Sequence, residues 1–315
     1  MSLRRLGLAT ITALFALSGL ASADEPVLLR YKLAKGDSLI YKTVQEQKST
    51  QTVMGNKVES STIQEAVNLS KVDDVDAKGN AILKTKAERR KVTMDSPNGK
   101  YEFDSKSTER DTTSAVGGFV TPILERLTGS EYQMTVSPRG EVVEVKGFAE
   151  LIADLVANNP FGISVAGGGG NEGAKYTEQD SYVVFGDKPV KPGDQWETPV
   201  EIELASLGKA KGKVTCVYEG NDKVRDRKTV RIGITANMTI ELNLDAGGMK
   251  ISGTMSTTNS SGTVQFDPAA GRVVSSKRSV SMSGQLTVEV GGTTIPVDSE
   301  TEQTSTSQLL NKLPE

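Results

Sequence analysis

Histidine is absent from all 315 residues. Its absence removes the usual general base, the usual zinc ligand and any Ser-His or Cys-His nucleophile pair. Cysteine occurs once, at Cys216, so no intrachain disulfide can form. Cys216 lies in KVTCVY on the alternating face of Val214 and Tyr218, the place of a small core residue. Aromatic residues make up 5% of the chain, and Trp196 is its one tryptophan, placed to anchor a core. That is too little for the aromatic-lined cleft of a paired-carboxylate sugar hydrolase, or for the girdles of an outer-membrane barrel. A large charge of one sign is lacking as well. Lys and Arg number 37 against 40 Asp and Glu, a net charge of −3. A mildly acidic chain has no electrostatic reason to hold nucleic acid. The basic cluster KAERRK (86–91) reads as a solvated face.

Long apolar runs are lacking with one exception. LGLATITALFALSGL (6–20) follows Arg4 and Arg5 and ends before Ala21-Ser22-Ala23. A charged start, an apolar core too short to span a bilayer comfortably and small residues at a cleavage site make residues 1–23 a secretory signal peptide. No cysteine stands directly after it, which excludes a processed, lipidated N-terminal cysteine, and no later run suits a transmembrane helix. The expectation is an exported soluble chain, periplasmic or extracellular, beginning near Asp24.

What the chain has is alternation. In TVRIGITANMTIELNLD (229–245), Val230, Ile232, Ile234, Ala236, Met238, Ile240, Leu242 and Leu244 hold every second place. Period two means one buried and one wet face, as in an antiparallel sheet. The run is long for one strand, so it predicts two strands bent near Asn237 or one long strand of a strongly curved sheet. Val280, Met282, Gly284, Leu286, Val288 and Val290 repeat the pattern, with Gly284 marking a bend or bulge. Turn signals such as DAKGN (76–80), SPNGK (96–100) and DAGGM (245–249) separate the runs.

Helical spacing occurs twice. Val116, Phe119, Val120, Ile123, Leu124 and Leu127 predict a helix near 115–129, kinked or restarted at Pro122, with Gly129 able to cap it. Phe148, Leu151, Ile152, Leu155 and Val156 predict another over 147–158, stopped by Asn158-Asn159-Pro160.

Two stretches repeat. AKGDSL (34–39) and KPGDQW (191–196) each set Gly-Asp before a strand, and SPRGEVV (137–143) matches DPAAGRVV (267–274) further on. The longer interval in the first half accommodates the segment around 110–129. The expected fold is mainly β (α+β): two related curved antiparallel sheet modules, with one or two helices inserted in the first. The first module spans 24–158, a Gly-rich linker 159–178, and the second module 179–315.

The motifs that invite chemistry fail on inspection. GGGNEGAK (168–175) has Ala174 between Gly173 and Lys175 and Tyr176 where a phosphate loop needs Ser or Thr. DDVDAKGNA (73–81) puts Lys78 at a calcium-ligand position and closes without its Glu. GISVAG (162–167) is no nucleophile elbow, and no histidine exists to activate Ser164. A Ser-Lys dyad has nothing pointing to it. No catalytic residue, metal site or cofactor is expected.

YKLAKGDSLIYKT, DAKGNAILKTK, MDSPNGKYEFDS and TVSPRGEVVEVKG resemble an uncharacterised family of exported bacterial proteins, a domain of unknown function. That resemblance implies no activity and no site residues. At the level of fold alone, a curved sheet with helices also looks like periplasmic lipoprotein carriers. The expected function is non-enzymatic: holding an apolar ligand such as a lipid, or a lipidated partner, between sheet and helices. Phe119, Ile123, Leu127, Phe148, Leu151, Ile152, Leu155 and Phe161 are the expected lining. Stripes of this kind more often simply seal a core. The alternative is an envelope protein–protein interaction or structural module without a small ligand.

Overall fold

Alternation becomes hydrogen-bonded strand along most of the chain. The computed structural model describes residues 25–97, 99–151, 170–203, 208–246 and 248–314, so the expected signal peptide lies outside the described residues. The strands are β1 (Ser38–Val53), β2 (Asn56–Val75), β3 (Ala81–Ser96), β4 (Gly99–Asp104), β5 (Glu131–Val136) and β6 (Val142–Lys146), then β7 (Gln195–Glu203), β8 (Gly208–Val224), β9 (Arg227–Ala246), β10 (Met249–Asp267), β11 (Arg272–Val290) and β12 (Thr293–Leu310). They form one 12-stranded sheet in the order β6-β5-β3-β2-β1-β12-β11-β10-β9-β8-β7, with β4 beside β3. Every strand pairing is antiparallel.

The two modules expected from the repeat are therefore not separate sheets. β1 pairs β12 from Ile40↔Leu310 to Val53↔Val297, and the two halves share one hydrogen-bonded surface. The repeated turns do have the same geometry. Gly36 (φ 92) and Gly193 (φ 93) occupy the left-handed region that glycine tolerates. Asp37 Oδ2 accepts from Ala34 N at 3.1 Å, and Asp194 Oδ2 accepts from Lys191 N at 2.8 Å. Each turn then trades two backbone bonds with the strand beside it, at Val72 and at Tyr218. The second repeated pair holds the N-terminal segment: Tyr31 N donates to Pro138 O, and Lys32 N donates to Gly271 O.

β9 is one strand of 20 residues without a break at Asn237. The irregularity falls on its neighbour. β10 shifts register between Ser256 and Gly262, and there Thr257 Oγ1 and Ser260 Oγ accept from the Met238 and Ala236 N–H groups at 3.0 and 2.9 Å. Hydroxyls thus satisfy backbone donors that the interrupted ladder would orphan. Gly284 is not a bulge, contrary to the sequence expectation. It keeps regular register with Met255 and Ser299. It permits close approach instead, because a Cβ there would stand 1.9 Å from Thr254 O.

One end of the long strands is sealed. Leu29, Tyr31, Phe185, Cys216, Tyr218, Ile232 and Phe266 form the main buried cluster. Phe266 lies 4.8 Å from Phe185 and 5.3 Å from Tyr31, ring centre to ring centre. Such pairs add about 0.5–1.5 kcal/mol each beyond area burial. Burial pushes the Cys216 thiol up to about 12, so it is a core residue and not a reactive one. Trp196 packs against this cluster and donates from Nε1 to Val184 O at 2.7 Å. The other end carries the hairpin tips at Met54-Gly55 and Gly291-Gly292.

α1 (Ala115–Leu127) runs unbroken through Pro122, with Ser114 Oγ accepting from Gly117 N at its start. It covers β4, where Leu124 joins Val92, Tyr101 and Phe103 in a small cluster. The expected linker is corrected over its last part, because α2 (Gly170–Gln179) is a helix. Only Gly170 and Gly173 in it are glycine. Ala174, Lys175, Glu178 and Gln179 favour helix, and Ala174 is buried in the cluster of Leu39, Leu83 and Val142. The expected second helix is described only at its start, 148–151; the rest of it, like residues 159–169 of the linker, lies outside the described residues.

Candidate functional site

The sheet curls far enough for strands distant in its order to line one cavity of about 1530 Å³. Parity decides which side chains face it. One wall is aliphatic: Val200 and Ile202 of β7, Val214 of β8, Ile234, Met238 and Ile240 of β9, and Val280 and Met282 of β11. The other wall is mainly polar: Thr43 and Gln45 of β1, Gln64 and Asn68 of β2, and Gln303, Ser305 and Ser307 of β12. Residues Lys175 to Val184, from α2 and its exit, cross between them.

α2 is fixed by backbone-directed bonds. Val142 N donates to Gln179 Oε1, and Gln179 Nε2 donates to Gly140 O, both at 2.9 Å. Ala149 N donates to Asn171 Oδ1 at 3.0 Å. These ties bind the helix to β6 and leave its exit facing the cavity.

Charged groups meet there. Tyr132 donates to Glu178. Arg278 of β11 contacts Asp180 Oδ1 through Nη1 at 3.5 Å, a long ion pair. Arg90 of β3 also lines the cavity, and no described carboxylate lies within ion-pair distance of it. Arg90 Nε and Arg278 Nε are, among the described residues, the buried side-chain polar atoms without a hydrogen-bond partner. Burial raises the Glu178 and Asp180 carboxyls above their ordinary range, the Tyr132 bond and the Arg278 charge opposing it only in part. Asp180 is desolvated although 70% of its side chain is accessible, because the space it faces is a protein-walled cavity rather than bulk water. Among the described residues no cluster of His, Cys, Asp and Glu suits a metal ion.

None of the described residues in the sequence-expected lining touches this cavity. Ile123 is buried and Leu127 half-buried on α1. Phe148 stacks edge-on against Tyr132 with ring centres 5.5 Å apart, and is half-buried in the cluster around Leu83. Leu151 is half-buried, and its carbonyl accepts from Arg126 Nε at 3.2 Å. The Phe119 side chain, Ile152, Leu155 and Phe161 lie outside the described residues.

Sequence reasoning missed the arginines. Arg278 carried a usable signal, since it continues the parity of Val280 and Met282. Arg90 carried none. Its cluster, KAERRK, reads as solvated, and the structure corrects this for Arg90. β3 bulges between Ala87 and Arg89, so the inward set runs Leu83, Thr85, Ala87 and then Arg90, Val92 and Met94. One extra residue exchanges the two faces.

Residues 78–273 match a family of unknown function, DUF6263, and the chain belongs to it. No curated protein matches the sequence. Among solved structures, the chain is similar over 89% of its length to lipovitellin, in a structure on its lipid–protein interactions, at 12% identity and a TM-score of 0.43. It covers 26% of that protein, so it spans about a quarter of lipovitellin. It is also similar to an outer membrane channel from Pseudomonas putida F1, at 8% identity and a TM-score of 0.23 over 89% of this chain and 97% of that one. A porin from Rh. blastica gives 8% identity and 0.20 over 86% and 100%. Among the described residues no helix is long and apolar enough to cross a membrane.

Proposed function

We propose that this protein is an exported, non-enzymatic binding protein that holds a lipid-like amphiphile between its curled sheet and α2. The cavity carries the reading. At about 1530 Å³ it exceeds the roughly 300–1,000 Å³ of sites for drug-sized ligands. Its two walls differ in kind: the aliphatic wall suits an acyl chain, while the wall of Ser, Thr, Gln and Asn suits polar groups. The apolar run at 6–20 supports export, to the periplasm or beyond it. The shared turn geometry supports reading the sheet as two related arms.

The second reading, an envelope interaction module, is favoured by Met54, which stands 81% exposed at the β1–β2 tip. Strand addition at β7 is an unfavourable route for it. That edge carries Pro199 with Glu197, Glu201 and Glu203, which blunt pairing.

Native mass spectrometry of the protein from the exported fraction, with organic extraction in parallel, tests the proposal. Adducts of lipid mass are expected, and Met238→Glu loses them while the protein stays folded. A clean apo mass, with no uptake of added palmitate or phospholipid, overturns the proposal and directs effort to envelope partners.

A further inference from the structure

The charged floor of the cavity narrows the ligand class; this inference rests on the cavity being the ligand site. Arg278 of β11 and Arg90 of β3 both line the cavity, in adjacent rows of the sheet but with β12, β1 and β2 between them. One row runs Arg278, Ser305, Gln45, Gln64 and the other Ser276, Ser307, Thr43, Ala66, Arg90. Around the arginines stand short neutral side chains, none of which neutralises a guanidinium. Each arginine carries five N–H donors in a planar fork. Arg278 uses one contact of 3.5 Å to Asp180, and Arg90 has no described carboxylate partner in reach. A buried donor left unmade costs more than a made bond returns. Both arginines are therefore better satisfied with an added anion than without one.

Of the other acids that border the cavity, all but Glu203 at the end of β7 are engaged elsewhere. Glu65 is paired with Lys42 at 2.8 Å and Glu201 with Lys211 at 3.0 Å. Glu141 is 3.8 Å from Arg139. Glu178 accepts from Tyr132. Glu178 lies in the field of Arg90 without reaching ion-pair distance, and Asp180 meets Arg278 through a single contact of 3.5 Å. Asp180 is placed as an internal stand-in that a better anion displaces.

We propose that the ligand is an anionic amphiphile, whose carboxylate or phosphate head pairs with Arg278 in place of Asp180, while its chain lies along the aliphatic wall. A carboxylate or phosphate fits the guanidinium fork with two parallel bonds, which the lone long contact of Asp180 does not provide.

Displacement of a cavity-bound fluorescent naphthylamine from the full chain tests this with one chain length and four heads: dodecanoate, dodecyl phosphate, dodecanol and dodecyltrimethylammonium, with inorganic phosphate as a chainless arm. The two anions are expected to bind about tenfold or more tighter than dodecanol, as charge-assisted bonds imply. The ammonium is expected to bind most weakly, and phosphate alone not measurably. Arg278→Gln is expected to bring dodecanoate and dodecyl phosphate down to the level of dodecanol. Arg278→Lys, which keeps the charge but loses the fork, keeps part of the anions' advantage. Should Arg278→Gln fail to fold, Asp180→Asn carries the test by strengthening the anions alone. Equal binding of dodecanol and dodecanoate overturns the inference and leaves the amphiphile reading standing. Phosphate competing as well as dodecyl phosphate overturns it in favour of a plain anion site. No binding of any chain, dodecanol included, sinks the cavity reading itself.

Discussion

β9 and β1 belong to the same sheet, and both present one face to the same cavity. β9 offers Ile234, Ala236, Met238 and Ile240, whereas β1 offers Thr43 and Gln45. Gln47 and Ser49 continue the parity of β1. The difference lies in what each face meets. β9 descends into the sealed end, where Val230 and Ile232 are buried among aromatic rings. Its inward face must be apolar to be removed from water. β1 faces the open side and keeps hydroxyls and amides that water or a ligand can satisfy. Beyond Leu39 and Tyr41, which join the core at one end, β1 is largely polar on both faces, so most of its length has little hydrophobic guidance to its register. The two-residue turn at Met54 (φ 50) and Gly55 (φ 83) supplies it, both residues being left-handed as the favoured hairpin turn requires.

Paired truncations test that contrast first. Ile232 is fully buried, so Ile232→Ala is expected to cost about 2–5 kcal/mol in urea unfolding. Gln45→Ala on the wet strand is expected to stay within about 0.5 kcal/mol. Equal losses would mean that β1 faces a packed interior after all. Gly284→Val comes next. It pushes a side chain into the Thr254 carbonyl and is expected to cost about 1–3 kcal/mol, measured the same way. A neutral result would show that the neighbouring strands separate easily there.

The smallest effect concerns Glu178. Its carboxyl is raised by burial, so just above the ordinary value of 4.5 the folded chain binds more protons than the unfolded one. Stability from this group is undiminished below 4.5 and falls as pH rises from there to the raised value. Glu178→Gln lacks that fall, and its amide oxygen can still accept from Tyr132. The variant's melting temperature is expected to gain on the wild type between pH 4.5 and neutrality. A difference that does not change with pH would place Glu178 in bulk-like water.

The legibility of the fold follows the same contrast. The run at 229–245 announces β9 because every second residue is aliphatic. β1 and β12 carry few such markers. DSETEQTSTSQ (298–308) is polar throughout, and only its pairing with β1 and β11 makes it the seam of the sheet. The site was less legible still. The sequence placed a pocket under helical apolar stripes, and the described residues of those stripes stand apart from the cavity. The cavity instead is lined by strands and by α2, within a stretch whose glycines suggested a linker.

The sequence by itself determined the strand chemistry, the Gly-Asp turns, the site of α1 and the exclusion of histidine chemistry. These depend on neighbours a few residues apart, through side-chain period, left-handed glycine and local hydrogen bonds. The tertiary structure alone decided that both halves join in one sheet, that a bulge turns Arg90 inward and that Arg278 faces Asp180 across the cavity. Those outcomes depend on strand register and sheet curl, which couple residues far apart in the chain.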